Sequence, residues 1–364
     1  MSLRSRWTLA AAAAALAFGV RAWPADLPPA MKELVEQARK EGQLNISWSS
    51  MGFNKGAERF EQGFNAYYGL KTKFNYTPGL SFVAATKRIA DELAANKPAF
   101  RDLSLIAGAP DVKFDLDQKI DRPIDWAALL PQIPKDVLAR IVSPEGRLIR
   151  FLDQAPTIMY NTNIVKAAEA PKSLADLANP KWKGMLASTP FVFGWEDLPA
   201  HPAWPRQKAL DLVSKVAQNV SGLIRCADFD RISSGEFPIF ALVCEPGLVR
   251  QLQARGAPVD QNIPQDWRMM YYWSFGVPRN AQNPATATLF IAWVLTPEGQ
   301  RVMWENEGAD LHLLPGSRNR AVYEQLEKSS GGPMVELTWQ QEMSYSDPAF
   351  RQTLVEKFRN GSAR

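Results

Sequence analysis

Between Leu44 and Pro110 a short apolar stretch, a polar loop and a segment of helical period follow one another repeatedly, and few folds accept that order. Leu44, Ile46 and Trp48 alternate as one face of a strand, and Ser49-Ser50-Met51-Gly52 after them is small and polar. Phe60, Phe64 and Tyr67 fall at helical spacing, and that helix stops at Gly69. A second strand over Lys71–Tyr76 breaks at Thr77-Pro78-Gly79, a helix covers Ser81–Asn96, and a third strand over Leu103–Ile106 ends in Ala107-Gly108-Ala109-Pro110. Ahead of them Met31, Leu34, Val35 and Ala38 mark a helix, with Gly42 where a C-terminal cap belongs. The rhythm predicts an α/β unit with a mainly parallel sheet. In such sheets ligands sit beyond the carboxyl ends of the strands, where helix N-termini present free N–H groups. The loops at 49–52, 77–81 and 107–110 are therefore the first places to look for a site.

Pro-rich connections occupy Asp111–Ser143, and a strand-like stretch runs over Arg147–Tyr160. A second rhythm follows: strand Met185–Ser188, helix Gln207–Gln218, strand Leu223–Ala227, and strand Pro238–Cys244 after Ser234-Gly235-Glu236. Arg268–Val277 is again strand-like, and Ala285–Leu295 is an apolar helix. The 364 residues suffice for two domains, each with its own core.

Met1–Ala22 reads as an export signal: Arg4 and Arg6, then an apolar run over Trp7–Val20, then Val20-Arg21-Ala22 for a peptidase to cut. That run is short for a membrane span, and no Cys lies at the cut to carry a lipid. The formal charge of +4 then misleads, because Arg4, Arg6 and Arg21 leave with the signal and 39 basic residues face 38 acidic ones. A balanced chain without a basic cluster argues against nucleic acid as a partner. In an oxidising compartment the two cysteines, Cys226 and Cys244, read as one disulfide or as two buried thiols. Their place on neighbouring predicted strands favours the bond. Enzyme readings do poorly: there is no GxSxG elbow, no P-loop, no GxGxxG and no HExxH.

Four segments together resemble the periplasmic solute-binding proteins of ABC importers, in the large family that includes ferric-ion and polyamine binders. They are Leu34–Gly42 before a strand, Tyr160-Asn161-Thr162 followed by Ala170–Gly184, Ser234-Gly235-Glu236 before a strand, and Asn283-Pro284 through Thr296-Pro297-Glu298-Gly299-Gln300. The resemblance implies the type II fold of that family: two α/β lobes joined by two hinge-crossing strands, closing on a ligand between them. Lobe one would hold 23–154 plus 271–315, and lobe two 155–270 plus 316–364, with crossings near Phe151–Tyr160 and Met270–Val277. It implies a periplasmic protein, acting alone and without a cofactor, that delivers a small molecule to a membrane permease and performs no chemistry.

The candidate ligand residues follow from strand ends and crossings. Ser49 and Ser50 end the first strand, with Trp48 facing the core beside Leu44 and Ile46. Thr77 and Ser81 precede a helix, which Ser81 could cap or share with an anion. Ser188 and Thr189 mirror Ser49 and Ser50 in the second unit, and Gln154 and Thr157 lie in the first crossing. Glu245 ends a strand and could meet a ligand amine or pair with Arg225. Tyr272 lies in the returning crossing. Tyr271-Tyr272 invite a ferric reading, but neighbours on a strand point to opposite faces, and the ferric relatives carry their tyrosine pair after the Gly-Glu turn, where Glu245-Pro246 stand here. Hydroxyl-rich loops at helix N-termini without an acidic cluster favour a small organic anion. A ferric ion, or a secreted hydrolase or transferase with His201 as a poor base, are the alternatives.

Overall fold

Gly42 ends the first helix, Pro29–Glu41, in the left-handed conformation (φ 66°), and its N–H closes on the Ala38 carbonyl, so the chain turns directly into a strand. The structure, a computed structural model, describes residues 27–48, 55–78, 82–226, 228–330, 332–345 and 347–362. The expected export signal, Met1–Ala22, and the candidates Ser49, Ser50 and Ser81 lie outside the described residues. Among the described residues no helix is long and apolar enough to cross a membrane.

Among the described residues ten strands make three sheets. β1 (Gln43–Trp48) pairs in parallel with β2 (Lys73–Pro78). β3 (Ser104–Ala107) and β4 (Leu148–Gln154) flank β10 (Tyr271–Gly276), which runs antiparallel to both. The remaining five are β5 (Thr157–Asn161), β6 (Leu186–Ser188), β7 (Val220–Leu223), β8 (Ile239–Val243) and β9 (Val259–Asn262), in the order β7-β6-β8-β5-β9. Buried Asp102 ties β1 to the entry of β3. Its carboxylate accepts from the Asn45, Gln282 and Asn283 backbone N–H groups at 2.7–2.9 Å, and its own N–H donates to the Asn45 carbonyl.

The parallel arrangement holds except for one strand in each set. β5 runs against β8 and β9, and β10 against β3 and β4. The cause is connectivity. A strand fed by a crossover helix re-enters its sheet at the amino end, but β4 passes to β5 through Ala155-Pro156 alone, and β9 passes to β10 through residues 263–270. Each arriving strand therefore starts at the carboxyl edge of the other sheet and must run backwards. The long strand-like stretch of the sequence, Arg147–Tyr160, is this pair of strands with a break at Pro156.

Two large cores form. One gathers Trp48, Phe60, Phe64, Phe151, Phe275, Phe290 and Trp293, and the other Trp182, Trp195, Trp204, Trp267, Phe350 and Phe358. The Pro-rich segment expected as connection contains helices at Ala109–Gln118 and Lys135–Ile141. Pro110 stands in the first turn and Pro134 at the cap, where proline's missing N–H costs nothing. The tail divides its packing. In helix Trp339–Ser344, Trp339 sits on Ile106, Val112 and Leu148 beside the first core, while Phe350, Leu354 and Phe358 of helix Pro348–Ser362 enter the second.

Candidate functional site

Antiparallel pairing sets the amino end of β10 beside the carboxyl end of β3, with Trp273 opposite Ala107. Alternation along β10 puts Tyr271 and Trp273 on one face, about 7 Å apart, and Tyr272 on the other. Trp273 meets Phe82, the first residue of helix Phe82–Ala94, edge-on at 5.2 Å. Tyr271 meets Phe193, in the loop after β6, at 5.2 Å. The row Phe82, Trp273, Tyr271, Phe193 thus runs from the helix after β2 to the loop after β6. Trp48 at the end of β1 backs it, 6.5 Å from Trp273 and fully buried.

Acidic groups border the row. The Tyr271 hydroxyl donates to Asp197 Oδ2 at 2.6 Å. Next to it Glu196 pairs with Arg351 of the last helix at 3.1 Å, and Arg351 also acts on Asp111 in the first turn of helix Ala109–Gln118. Burial pushes the Asp111 carboxyl up to about 6, against the pull of Arg351. Burial also raises Glu196, to about 8, with the Asp197 charge adding to it. Asp197 rises to about 6 by burial, held back by the bond from Tyr271. The Tyr271 phenol is pushed well above its ordinary range by burial and by Asp197. This overturns the expectation of loops without an acidic cluster. The sequence does not show the cluster because Asp111, in the first turn of a helix, and Glu196 and Asp197, in a loop, are 85 residues apart in the chain, and only the fold joins them. The turn at Gly108-Ala109-Pro110 was the available signal for Asp111; nothing local marks the other two.

The remaining sequence candidates fall as follows. Thr77 is exposed near the end of β2, opposite Ser47. Ser188 is fully buried at the end of β6: its hydroxyl accepts from Trp195 Nε1 at 3.3 Å and its carbonyl from the Ile224 N–H. Thr189 Oγ1 accepts from the Phe193 N–H at 3.0 Å and so shapes the loop that carries the aromatic ring. Gln154 and Thr157 flank the first crossing. Gln154 Oε1 accepts from the Gly247 N–H at 3.5 Å, and Thr157 donates to Gln261 at 2.7 Å. Glu245 caps the N-terminus of helix Pro246–Ala254 by position, while Arg225 pairs with Asp228 at 3.4 Å. Cys226 and Cys244 form a disulfide with Cα atoms 5.7 Å apart, fixing the segment after β7 to the end of β8. Tyr272 lies under the Arg150 guanidinium, 4.0 Å from its ring, on the face away from Tyr271. Thr189 therefore adjoins the row, whereas Ser188 and Tyr272 serve the packing around it.

Among the described residues no three His, Cys, Asp or Glu groups converge as metal ligands. No protein-family model matches the chain. A Fe(3+)-binding periplasmic protein of Serratia marcescens is 32% identical over 89 residues, which are 24% of this chain and 25% of that protein, so the match spans only a quarter of that relative. Solved structures align over nearly the whole length. The substrate-binding protein of an ABC transporter from Agrobacterium tumefaciens gives a TM-score of 0.69 at 14% identity, over 90% of this chain and 97% of its own. The Trichodesmium FutA (IdiA) structure with iron and citrate gives 0.61 at 21% identity, over 89% and 100%. AgtB from A. tumefaciens R10, with agropinic acid, gives 0.63 at 16% identity, over 89% and 99%. The chain has the two-lobe α/β fold of the periplasmic substrate-binding proteins of ABC transporters.

Proposed function

We propose that this protein captures a small organic anion between its two lobes in the periplasm and hands it to an ABC-transporter permease. The lobes in this reading are 23–154 with 271–315 and 155–270 with 316–364, hinged at the two crossings; helix Trp339–Ser344 of the tail leans on the first. The protein acts alone and performs no chemistry.

One observation carries the reading: the aromatic row on β10 is completed by Phe82 from one side and Phe193 from the other. A row built from both sides of a hinge is a floor on which closure can clamp the flat or apolar part of a ligand. For the charged part, the Arg225 side chain, 84% exposed and paired with Asp228, stands just after β7, whereas the N-terminus of helix Ala109–Gln118 already carries the Asp111 carboxylate. Thr77 and Thr189 supply hydroxyls at the margins.

A ferric ion is the second reading, favoured by the Serratia relative's name and by the iron in the Trichodesmium structure. Against it stand the engagement of Tyr271 by Asp197 and the place of Tyr272 on the opposite face. The experiment is a thermal-shift panel on the mature protein with organic carboxylates, aromatic acids, phosphonates, polyamines and ferric citrate. A ligand at 100 times its dissociation constant stabilises by about 2.7 kcal/mol, a shift of several degrees. A hit among the organic anions supports the proposal. A hit with ferric ion and with citrate-free iron salts, and with no organic anion alone, replaces it by the second reading.

A further inference from the structure

At the outer edge of the five-stranded sheet, between β9 and helix Arg318–Ser330, a cavity of about 480 Å³ opens. It is a different place from the aromatic row; Thr157 and its partner Gln261 line it, and no residue of the row does. Helix Arg318–Ser330 is held there by Tyr323, which packs on Ala155 and Met270 of the two crossings.

The lining divides by chemistry. Ile263, Val322 and Leu326 make an apolar wall. Lys172 and Arg250 are the cations and Asp260 is the carboxylate. The Asp260 charge is already met: it accepts from the Tyr160 hydroxyl at 3.1 Å, from Gln253 Nε2 at 2.7 Å and from the Gln261 N–H at 2.8 Å. The Arg250 guanidinium is met only in part. Its Nη2 donates to the Gly308 carbonyl and, at 3.4 Å, to Asn319 Oδ1, and the Asp310 and Asp153 charges act on it, but its buried Nε has no acceptor among the described residues. Lys172 is exposed at the rim. A volume of this size suits a small molecule, and its lining sets two cations, Arg250 with a free buried Nε and Lys172 at the rim, beside an apolar wall.

We infer that this cavity is a second ligand site that takes a small monocarboxylate with a short aliphatic tail, its head between Arg250 and Lys172 and its tail on Ile263, Val322 and Leu326. Burial disfavours the charged guanidinium, against the pull of Tyr323, Asp310 and Asp153, and an anion beside it offsets more of that cost.

The test uses fluorine NMR on the mature protein with 6,6,6-trifluorohexanoate as probe and 6,6,6-trifluorohexanol as the uncharged control. The expected result is binding of the carboxylate with the alcohol at least about tenfold weaker, and a loss of about tenfold on Lys172→Glu and on Arg250→Gln. Val322→Glu should weaken the carboxylate similarly. Should Arg250→Gln fail to fold, Lys172→Glu, at an exposed rim position, still decides. The proposal is overturned if no binding is seen up to about 10 mM, if the alcohol binds equally well, or if Lys172→Glu and Val322→Glu leave the affinity unchanged, which would put the probe elsewhere.

Discussion

The Tyr271 hydroxyl donates to Asp197 Oδ2 at 2.6 Å, and this bond joins a strand of the three-stranded sheet to the loop that leaves the five-stranded one. Tyr271→Phe keeps the ring against Phe193 but leaves a buried carboxylate short of a donor. The expected cost is roughly 1–3 kcal/mol, read as a lower denaturation midpoint in urea. Affinity for an organic anion should change by less than about threefold, because the ring surface is retained. If the wild-type protein bound ferric ion and this variant did not, Tyr271 would be a metal ligand and the aromatic-floor reading would fall.

The acids bordering the row make stability depend on pH in an unusual direction. Asp111 titrates at about 6 in the folded protein against an ordinary 3.8, so between those values the folded state keeps a proton that the unfolded chain has lost. Stability from this group is therefore complete below about 4 and falls as pH rises to about 6, by about 3 kcal/mol for a two-unit shift. Glu196, raised to about 8, extends the fall. Asp111→Asn carries no such charge. It should melt above the wild type at pH 8 and close to it at pH 4. A variant less stable than wild type at pH 8 would mean that the attraction to Arg351 outweighs burial.

Much of the frame was legible because it rests on local patterns. Gly42 caps its helix in the left-handed conformation as its place after Ala38 suggests, and β1, β6 and β8 lie within a residue or two of their expected spans. What stayed hidden was decided by distant partners. β9, Val259–Asn262, has the sequence Val-Asp-Gln-Asn, which carries no strand signal of its own; it is a strand because β5 offers it an edge. The helix at Ala109 was obscured by Pro110, a helix breaker in the interior but a good first-turn residue. At the site, Thr189 could be suspected from its strand end, whereas the meeting of Asp111, Glu196 and Asp197 depends on two loops and the last helix arriving together.

The disulfide gives a direct test of the arrangement beside β8. Denatured, unreduced protein should show no free thiol, since Cys226 and Cys244 are joined across a separation of 18 residues. A loop of that length implies about 3 kcal/mol of stabilisation in the chain-entropy picture. The double variant Cys226→Ser, Cys244→Ser should melt several degrees lower. Equal melting of reduced and oxidised protein would show that packing around Ile224 and Val243 alone fixes this corner.

Arg150 is an enclosed cation on the face of β10 opposite the row. It is 1% exposed, lies 4.0 Å from the Tyr272 ring and 4.3 Å from the Trp339 ring, and donates to the Arg140 and Leu337 carbonyls and to Glu342 at 2.8 Å. Burial raises the Glu342 carboxyl and Arg150 pulls it back, so each ion tolerates its site through the other. Glu342→Ala should cost up to about 3–5 kcal/mol, since it leaves the buried guanidinium only the more distant Glu336, 3.9 Å away, among the described ion partners, whereas the paired change Arg150→Met, Glu342→Leu should be far milder. The single variant should also loosen helix Trp339–Ser344 from the first core, seen as faster amide exchange over that helix and faster proteolysis between it and helix Pro348–Ser362. If the double change costs as much as the single one, the pair contributes net attraction rather than mutual tolerance, and the C-terminal tail is held on the first core by charge rather than by Trp339.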